Sequence, residues 1–139
     1  MFIPAKYFDG EPDPWEKQPV AASKTLHVGT ALAFKTGKLD IASGATMPAY
    51  ICMEEVATST DGQMVHVIRV SADTLYETEL AEASASIAAG TKYTLDAFGE
   101  KITATSTNGV AEVVSFEGTA AGDHVRVCFH PVTVIEGGE

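Results

Sequence analysis

The feature that most constrains the fold is a pair of β-branched runs near the end of the chain, separated by a small loop. Residues 110–117 and 123–129 flank the sequence Gly-Thr-Ala-Ala-Gly. In the second run every other residue is apolar, which is the period of a half-buried strand. The first run is apolar at both parities, which is typical of a strand in the middle of a barrel or sandwich. A loop with glycine at both ends suits a long hairpin, so we expect this hairpin to be the core element of the domain.

Short apolar or alternating runs recur from residue 25 onwards, with turn signals between them and no convincing long helix. The alanine- and serine-rich stretch 81–89 is compatible with a loop or one helical turn. This spacing predicts an all-β domain, a compact barrel or sandwich of short antiparallel strands. The predicted strands cover 26–28, 31–35, 38–41, 49–54, 64–70, 75–80, 93–95, 102–105, 110–117, 123–129 and 132–135. The predicted core of the hairpin comprises Val113, Val114, Phe116, Val125, Val127 and Phe129.

The first 24 residues differ in composition from the rest of the chain. They contain four of the six prolines, the one tryptophan and three further aromatic residues. Because proline removes hydrogen-bond donors and blocks regular strands, we expect an extended N-terminal arm over 1–24 and a folded domain over 25–139. The alternative is a floppy tail. The aromatic content favours an arm that anchors on a neighbouring molecule. Its predicted anchors are Phe2, Tyr7, Phe8 and Trp15.

The charge balance argues against nucleic acid as a partner. Nine basic residues oppose 19 acidic ones, which gives a net charge of −10. An acidic surface favours solubility and repels DNA and anionic membranes. No stretch approaches the roughly 20 apolar residues of a membrane span, and the start of the sequence does not resemble a signal peptide. We expect Cys52 and Cys128 to be reduced thiols in a protein made in the cytosol.

The sequence contains no catalytic signature that we can identify, and we expect neither an enzyme nor a bound cofactor. His124, Cys128 and His130 share one strand parity, which suggests a metal site at first. His124 and Cys128 would lie about 13 Å apart along a strand, too far to share one zinc ion. Cys128 and His130 would need help from another strand, so we predict no metal. Glu77 and Glu79 alternate along one strand, which is typical of the solvent-exposed face of a sheet.

Three blocks of the sequence resemble the capsid decoration, or cement, proteins of tailed bacteriophages. They read GTALAFKTGKLDIASGATMPAYICMEE, HVIRVSADTLYETEL and GVAEVVSFEGTAAGDHVRVCF. The resemblance covers about residues 29–129 and leaves the N-terminal segment outside it. None of the blocks is a catalytic signature, so the resemblance depends on the order of the blocks and on their residue patterns.

The resemblance implies a structural virion protein, made in the host cytoplasm, on the outer surface of an icosahedral head. It implies the major capsid protein and neighbouring copies of the chain, in a homotrimer, as partners. By bridging capsomers, such a protein stabilises the expanded capsid, because it binds that state and not its precursor. Two other classes stay open: a carbohydrate-binding β-sandwich, which needs a surface aromatic platform, and a small trimeric β enzyme, which needs a polar cluster in a cleft.

Overall fold

The computed structural model describes residues 1–10, 12 and 14–130. Within these ranges it contains twelve strands and no helix, which confirms the predicted all-β class. The strands are β1 (Ile3–Tyr7), β2 (Trp15–Val20), β3 (Thr25–Leu26), β4 (Ala31–Lys35), β5 (Lys38–Ile41), β6 (Tyr50–Cys52), β7 (Val56–Ala57), β8 (Gln63–Arg69), β9 (Thr74–Glu79), β10 (Lys92–Tyr93), β11 (Ala111–Phe116) and β12 (His124–Phe129). The strand predicted at 132–135 lies outside the described residues. In the part of the chain that the structure describes, no helix is long and apolar enough to cross a membrane.

The strands form two main units. One is an antiparallel five-stranded sheet in the order β1-β9-β12-β11-β10. The other is a five-stranded barrel in the order β2-β5-β4-β6-β8, in which β8 returns to pair with β2. The ring of the barrel closes through a single parallel pair, Val20 with Leu39, next to a hydrogen bond from the Ala21 N–H to the Leu39 carbonyl. Strands β3 and β7 form a small separate ladder.

The fold has two apolar cores, and the barrel contributes to both. Alternate barrel residues, including Leu32, Cys52 and Val65, fill the barrel interior. Their neighbours along the same strands belong to the second core, together with residues of the sheet. Successive side chains of a strand point to opposite faces, and these barrel strands have apolar side chains on both faces. The sheet therefore packs on the outside of the barrel.

The predicted hairpin of residues 110–129 is confirmed, with a correction to its core, and the neighbouring predicted strands 31–35 and 38–41 also pair as a hairpin. The β4–β5 turn at Thr36 and Gly37 has positive φ at both residues, the geometry of a two-residue hairpin loop. In the β11–β12 hairpin, Val113, Val125, Val127 and Phe129 are buried as predicted.

Val114 and Phe116, also predicted in the core, are 45% and 38% exposed. The register shifts between Val113 and Ser115, so Val114 is the extra residue of a β-bulge. Phe116 pairs with Val125 and reaches the end of the sheet, where the core covers only part of its ring.

The expectation that residues 1–24 stay outside the regular fold is wrong. β1 is the edge strand of the sheet, and β2 pairs with β8 over its full length. Both strands contain proline where a missing N–H costs little. Pro4 lies at an irregularity of the edge strand, and Pro19 lies on a strand whose other side pairs with β5 only at Val20. The proposed boundary between an arm and a domain at residue 24 therefore runs through one continuous fold.

Candidate interaction surfaces

The four predicted anchors lie in different environments and do not form one row. Phe2 is fully buried, and its ring packs against that of Phe129. Tyr7 is half-buried at the end of β1. Phe8 and Trp15, at the two ends of the segment that joins the sheet to the barrel, are 51% and 60% exposed. Two of the four residues are thus available to a partner, and Phe2 is a core residue.

Trp15 belongs to an exposed surface on the outside of the barrel. Trp15, Lys17 and Pro19 share one face of β2, and the register places His66 opposite Lys17 and Met64 opposite Pro19 on β8. The rings of Trp15 and His66 lie 5.9 Å apart. Met64 is 54% exposed. We call these five residues the Trp15 face.

The Trp15 face has a charged margin next to its apolar side chains. Glu54 follows β6, and its carboxylate accepts a hydrogen bond from the backbone N–H of His66 at 2.6 Å. The same carboxylate lies 3.0 Å from Nδ1 of the His66 ring. The first of these contacts, with further help from the imidazole and Lys17, lowers the pKa of the Glu54 carboxyl. Glu54 therefore stays ionised in mildly acidic solution and orients the ring on which Trp15 lies.

Two further exposed aromatic side chains lie elsewhere. Phe34, 51% exposed, meets the ring of Tyr50 edge-on at 5.7 Å. The Arg69 guanidinium lies over the same Tyr50 ring and forms a two-point contact with Glu16 at 3.1 and 3.3 Å. Hydrogen bonding to Arg69 lowers the pKa of the Glu16 carboxyl. Phe98 projects from the loop before Gly99 and is 68% exposed.

A groove of about 720 Å³ lies on the five-stranded sheet at the start of β1. Its size is in the range of small-molecule and peptide sites. One wall is apolar and contains two exposed side chains, Met1 at 40% and Ile3 at 43%. This apolar wall comprises Met1, Ile3, Pro4 and Ala5.

The rest of the groove lining, next to the apolar wall, is polar and acidic. It comprises Glu77, Thr78 and Glu79 of β9, Glu100 and Lys101 of the segment between β10 and β11, and His124 of β12. His124 Nδ1 lies 2.7 Å from a Glu77 carboxylate oxygen, and Lys101 Nζ lies 3.5 Å from Glu79. Met1 places its amine 3.4 Å from the Thr78 hydroxyl, and burial lowers the pKa of that amine.

Cys128 and His130, the candidate metal ligands considered in the sequence, have other surroundings in the structure. No group of three or more His, Cys, Asp or Glu side chains among them is placed to hold a metal ion. His130 instead pairs with Glu112 at 3.0 Å. Cys52 and Cys128 are both free thiols, and burial raises the pKa of each. These thiols are therefore poor nucleophiles at neutral pH.

Comparison with known proteins adds no assignment. No protein-family model matches the chain, and no curated protein matches it significantly.

Sequence reasoning found Trp15 but missed His66, which its ring contacts, and Met64, because only the β2–β8 register places them on the same face. It also missed the groove. The groove forms from residues almost 80 positions apart in the chain, so no local pattern predicts it.

Proposed function

We propose that this protein is a capsid decoration protein that binds the outer surface of an icosahedral phage head through its Trp15 face. The observation that carries the proposal is the exposure of Trp15 and Met64, two large apolar side chains, on one face of a well-packed barrel. Single exposed apolar residues are ordinary, whereas an aromatic residue and a flexible methionine on the same face, with His66 between them, are typical of a binding surface. The three sequence blocks that resemble decoration proteins supply the kind of partner, the major capsid protein.

The mechanism needs no reacting group. A copy that contacts several capsid subunits in the expanded shell adds interface area there and stabilises that state by mass action. Burying the exposed part of Trp15 contributes about 2–4 kcal/mol per contact before ordering costs. A trimer multiplies this effect, since three contacts act together. The net charge of −10 keeps such a protein soluble and gives it no attraction to packaged DNA.

The experiment is a binding assay on heads that lack the protein, prepared from the phage that encodes it. We expect saturable binding to expanded heads, none to precursor shells, and density for a trimer at local threefold positions. Trp15→Ala should weaken binding about 10- to 100-fold. Phe98→Ala removes an equally exposed ring elsewhere and is the matched control. Equal binding by both variants and the parent chain would remove the Trp15 face from the proposal. Failure of the parent chain to bind expanded heads would remove the function itself.

One observation also favours a carbohydrate-binding module as a second candidate. A tryptophan ring exposed on the face of a β-barrel is a platform on which the apolar side of a sugar can stack. Binding to immobilised glycans, lost in Trp15→Ala and kept in Phe98→Ala, would support this function over the first.

A further inference from the structure

We infer that the groove beside β1 is a second binding site, distinct from the Trp15 face, which takes an extended basic segment of a partner protein. The inference goes beyond the proposed function and holds whether or not the partner is a capsid. It combines the shape of the groove, its apolar wall and the charge of the polar lining next to that wall.

The charge of the groove determines what it accepts. Glu77, Glu79 and Glu100 line it, against Lys101 and His124. Arg126 of β12 lies opposite Glu77 and adds a long contact to its carboxylate at 3.6 Å, which leaves a small surplus of carboxylate. The amine of Met1 is a weak counter-charge, since its burial disfavours the protonated form. A surplus of carboxylate in a molecule of net charge −10 attracts cations and repels phosphate, which excludes nucleic acid as the ligand.

Two of these carboxylates, Glu77 and Glu79, are partly open to an incoming cation, whereas Glu100 is largely covered. Glu77 and Glu79 are 36% and 37% exposed. The contact between Lys101 and Glu79 is long, at 3.5 Å, and both side chains are open to water. Pairs of this kind contribute little stability, so a lysine or arginine of a partner can share or replace Lys101 at small cost.

The apolar wall selects a protein segment over a simple amine. Ile3 lies on the same sheet face as its partner Glu77, so apolar and acidic surfaces are adjacent. In an extended peptide, alternate side chains project to the same side about 7 Å apart. Such a segment can place an aliphatic side chain against Met1 and Ile3 while a neighbouring cation reaches the carboxylates.

The contact is expected to use the face of the sheet and not its edge. Pro4 has no N–H to offer, and the register between β1 and β9 is irregular between Pro4 and Lys6. A further strand would therefore pair poorly with β1. Side chains in the groove, and not backbone hydrogen bonds, would supply the affinity.

The test is a nuclear magnetic resonance titration of the full chain with short capped peptides of three kinds. One alternates lysine with isoleucine, one alternates glutamate with isoleucine, and one alternates lysine with glycine. We expect saturable shifts at Ile3, Glu79 and Lys101 with the first peptide and much weaker binding with the other two. Raising the salt concentration from about 0.05 to 0.5 M should weaken the binding. A glutamate peptide that binds as tightly as the lysine peptide would overturn the inference, as would shifts that map elsewhere or never saturate.

Variants give a second readout. The pair Glu77→Gln and Glu79→Gln should weaken binding of the lysine–isoleucine peptide about three- to tenfold. Ile3→Thr should weaken it through the apolar wall while keeping a β-branched residue in the strand. Asp73→Asn makes the same change of charge outside the groove and should have no effect. Circular dichroism checks that each variant is folded. Equal affinity for all variants, or equal binding by n-butylamine, would show that the groove does not recognise a segment.

Discussion

The ring of Phe2 packs against the ring of Phe129 with centroids 5.3 Å apart and planes inclined by 66°. Both rings are fully buried, and the Phe2 N–H donates to the carbonyl of Gly29 on the barrel side. Phe129 also contacts Tyr76, so three rings from β12, β9 and the chain start share one cluster. The second residue of the sequence is therefore a central part of the core between sheet and barrel.

Phe2→Ala should destabilise the fold by about 3–5 kcal/mol, because it removes a fully buried ring and leaves a cavity. Chemical denaturation monitored by circular dichroism measures the free energy of unfolding. Phe8→Ala, six residues later and half exposed, is the control and should change it by less than about 1 kcal/mol. Deleting residues 1–20 should prevent folding, since it removes β1 and β2. A folded truncated protein would contradict the role assigned to these strands.

Phe116→Ala should cost much less than Phe129→Ala. Phe116 is 38% exposed beyond the bulge, so its loss should lower the free energy of unfolding by about 1–2 kcal/mol. Phe129 is fully buried and should cost about 3–5 kcal/mol. Equal losses in the same denaturation assay would mean that the bulge does not displace Phe116 from the core.

Local patterns in the sequence predicted the local parts of this fold. The β4–β5 and β11–β12 hairpins have strong turn signals and short loops, so their pairing needs no long-range information. The pairing of β1 with β9 and of β2 with β8 joins residues 43 to 74 positions apart. The low strand propensity of proline disfavours both β1, which contains Pro4, and β2, which contains Pro19. Tertiary pairing overrode it at positions where a missing N–H is tolerated.

Gly29→Ala should be strongly destabilising. Gly29 has a φ of +100°, and an added Cβ would lie 2.7 Å from Met1 Cβ and 2.9 Å from the Phe2 nitrogen. Backbone strain and this clash together should cost about 2–4 kcal/mol. Gly37→Ala is the matched control, with a φ of +85° and no atom within 4 Å of the added Cβ, and should cost about 1 kcal/mol. Similar melting curves for the two variants would show that the space around Gly29 can expand.

The contact between His27 and Glu55 should make stability depend on pH. The two side chains meet at 2.6 Å, and Glu55 also accepts a hydrogen bond from the Val28 N–H at 2.7 Å. The hydrogen bond to Glu55 raises the pKa of the His27 imidazole. The same contact lowers the pKa of the Glu55 carboxyl.

The directions of the two pKa shifts define the pH range in which this contact stabilises the fold. The His27 contribution is fully present below its ordinary pKa of about 6.5 and is lost as pH rises through the raised value. The Glu55 contribution is present above its ordinary pKa of about 4.3 and is lost as pH falls through the lowered value. Stability from this pair should therefore be greatest between about pH 4.3 and 6.5. In melting experiments at pH 6 and 8.5, the parent chain should lose more stability than His27→Gln. Parallel curves would rule the contact out as a source of pH dependence.

The proline in the edge strand has a consequence for crowded copies of this molecule. An open strand edge is a template on which another chain can grow a continuous sheet. With Pro4 and an irregular register at that edge, two molecules pressed side by side lack a matching row of donors and acceptors. Two copies that meet at their β1 edges should therefore stay separate folded units, because their sheets cannot join there.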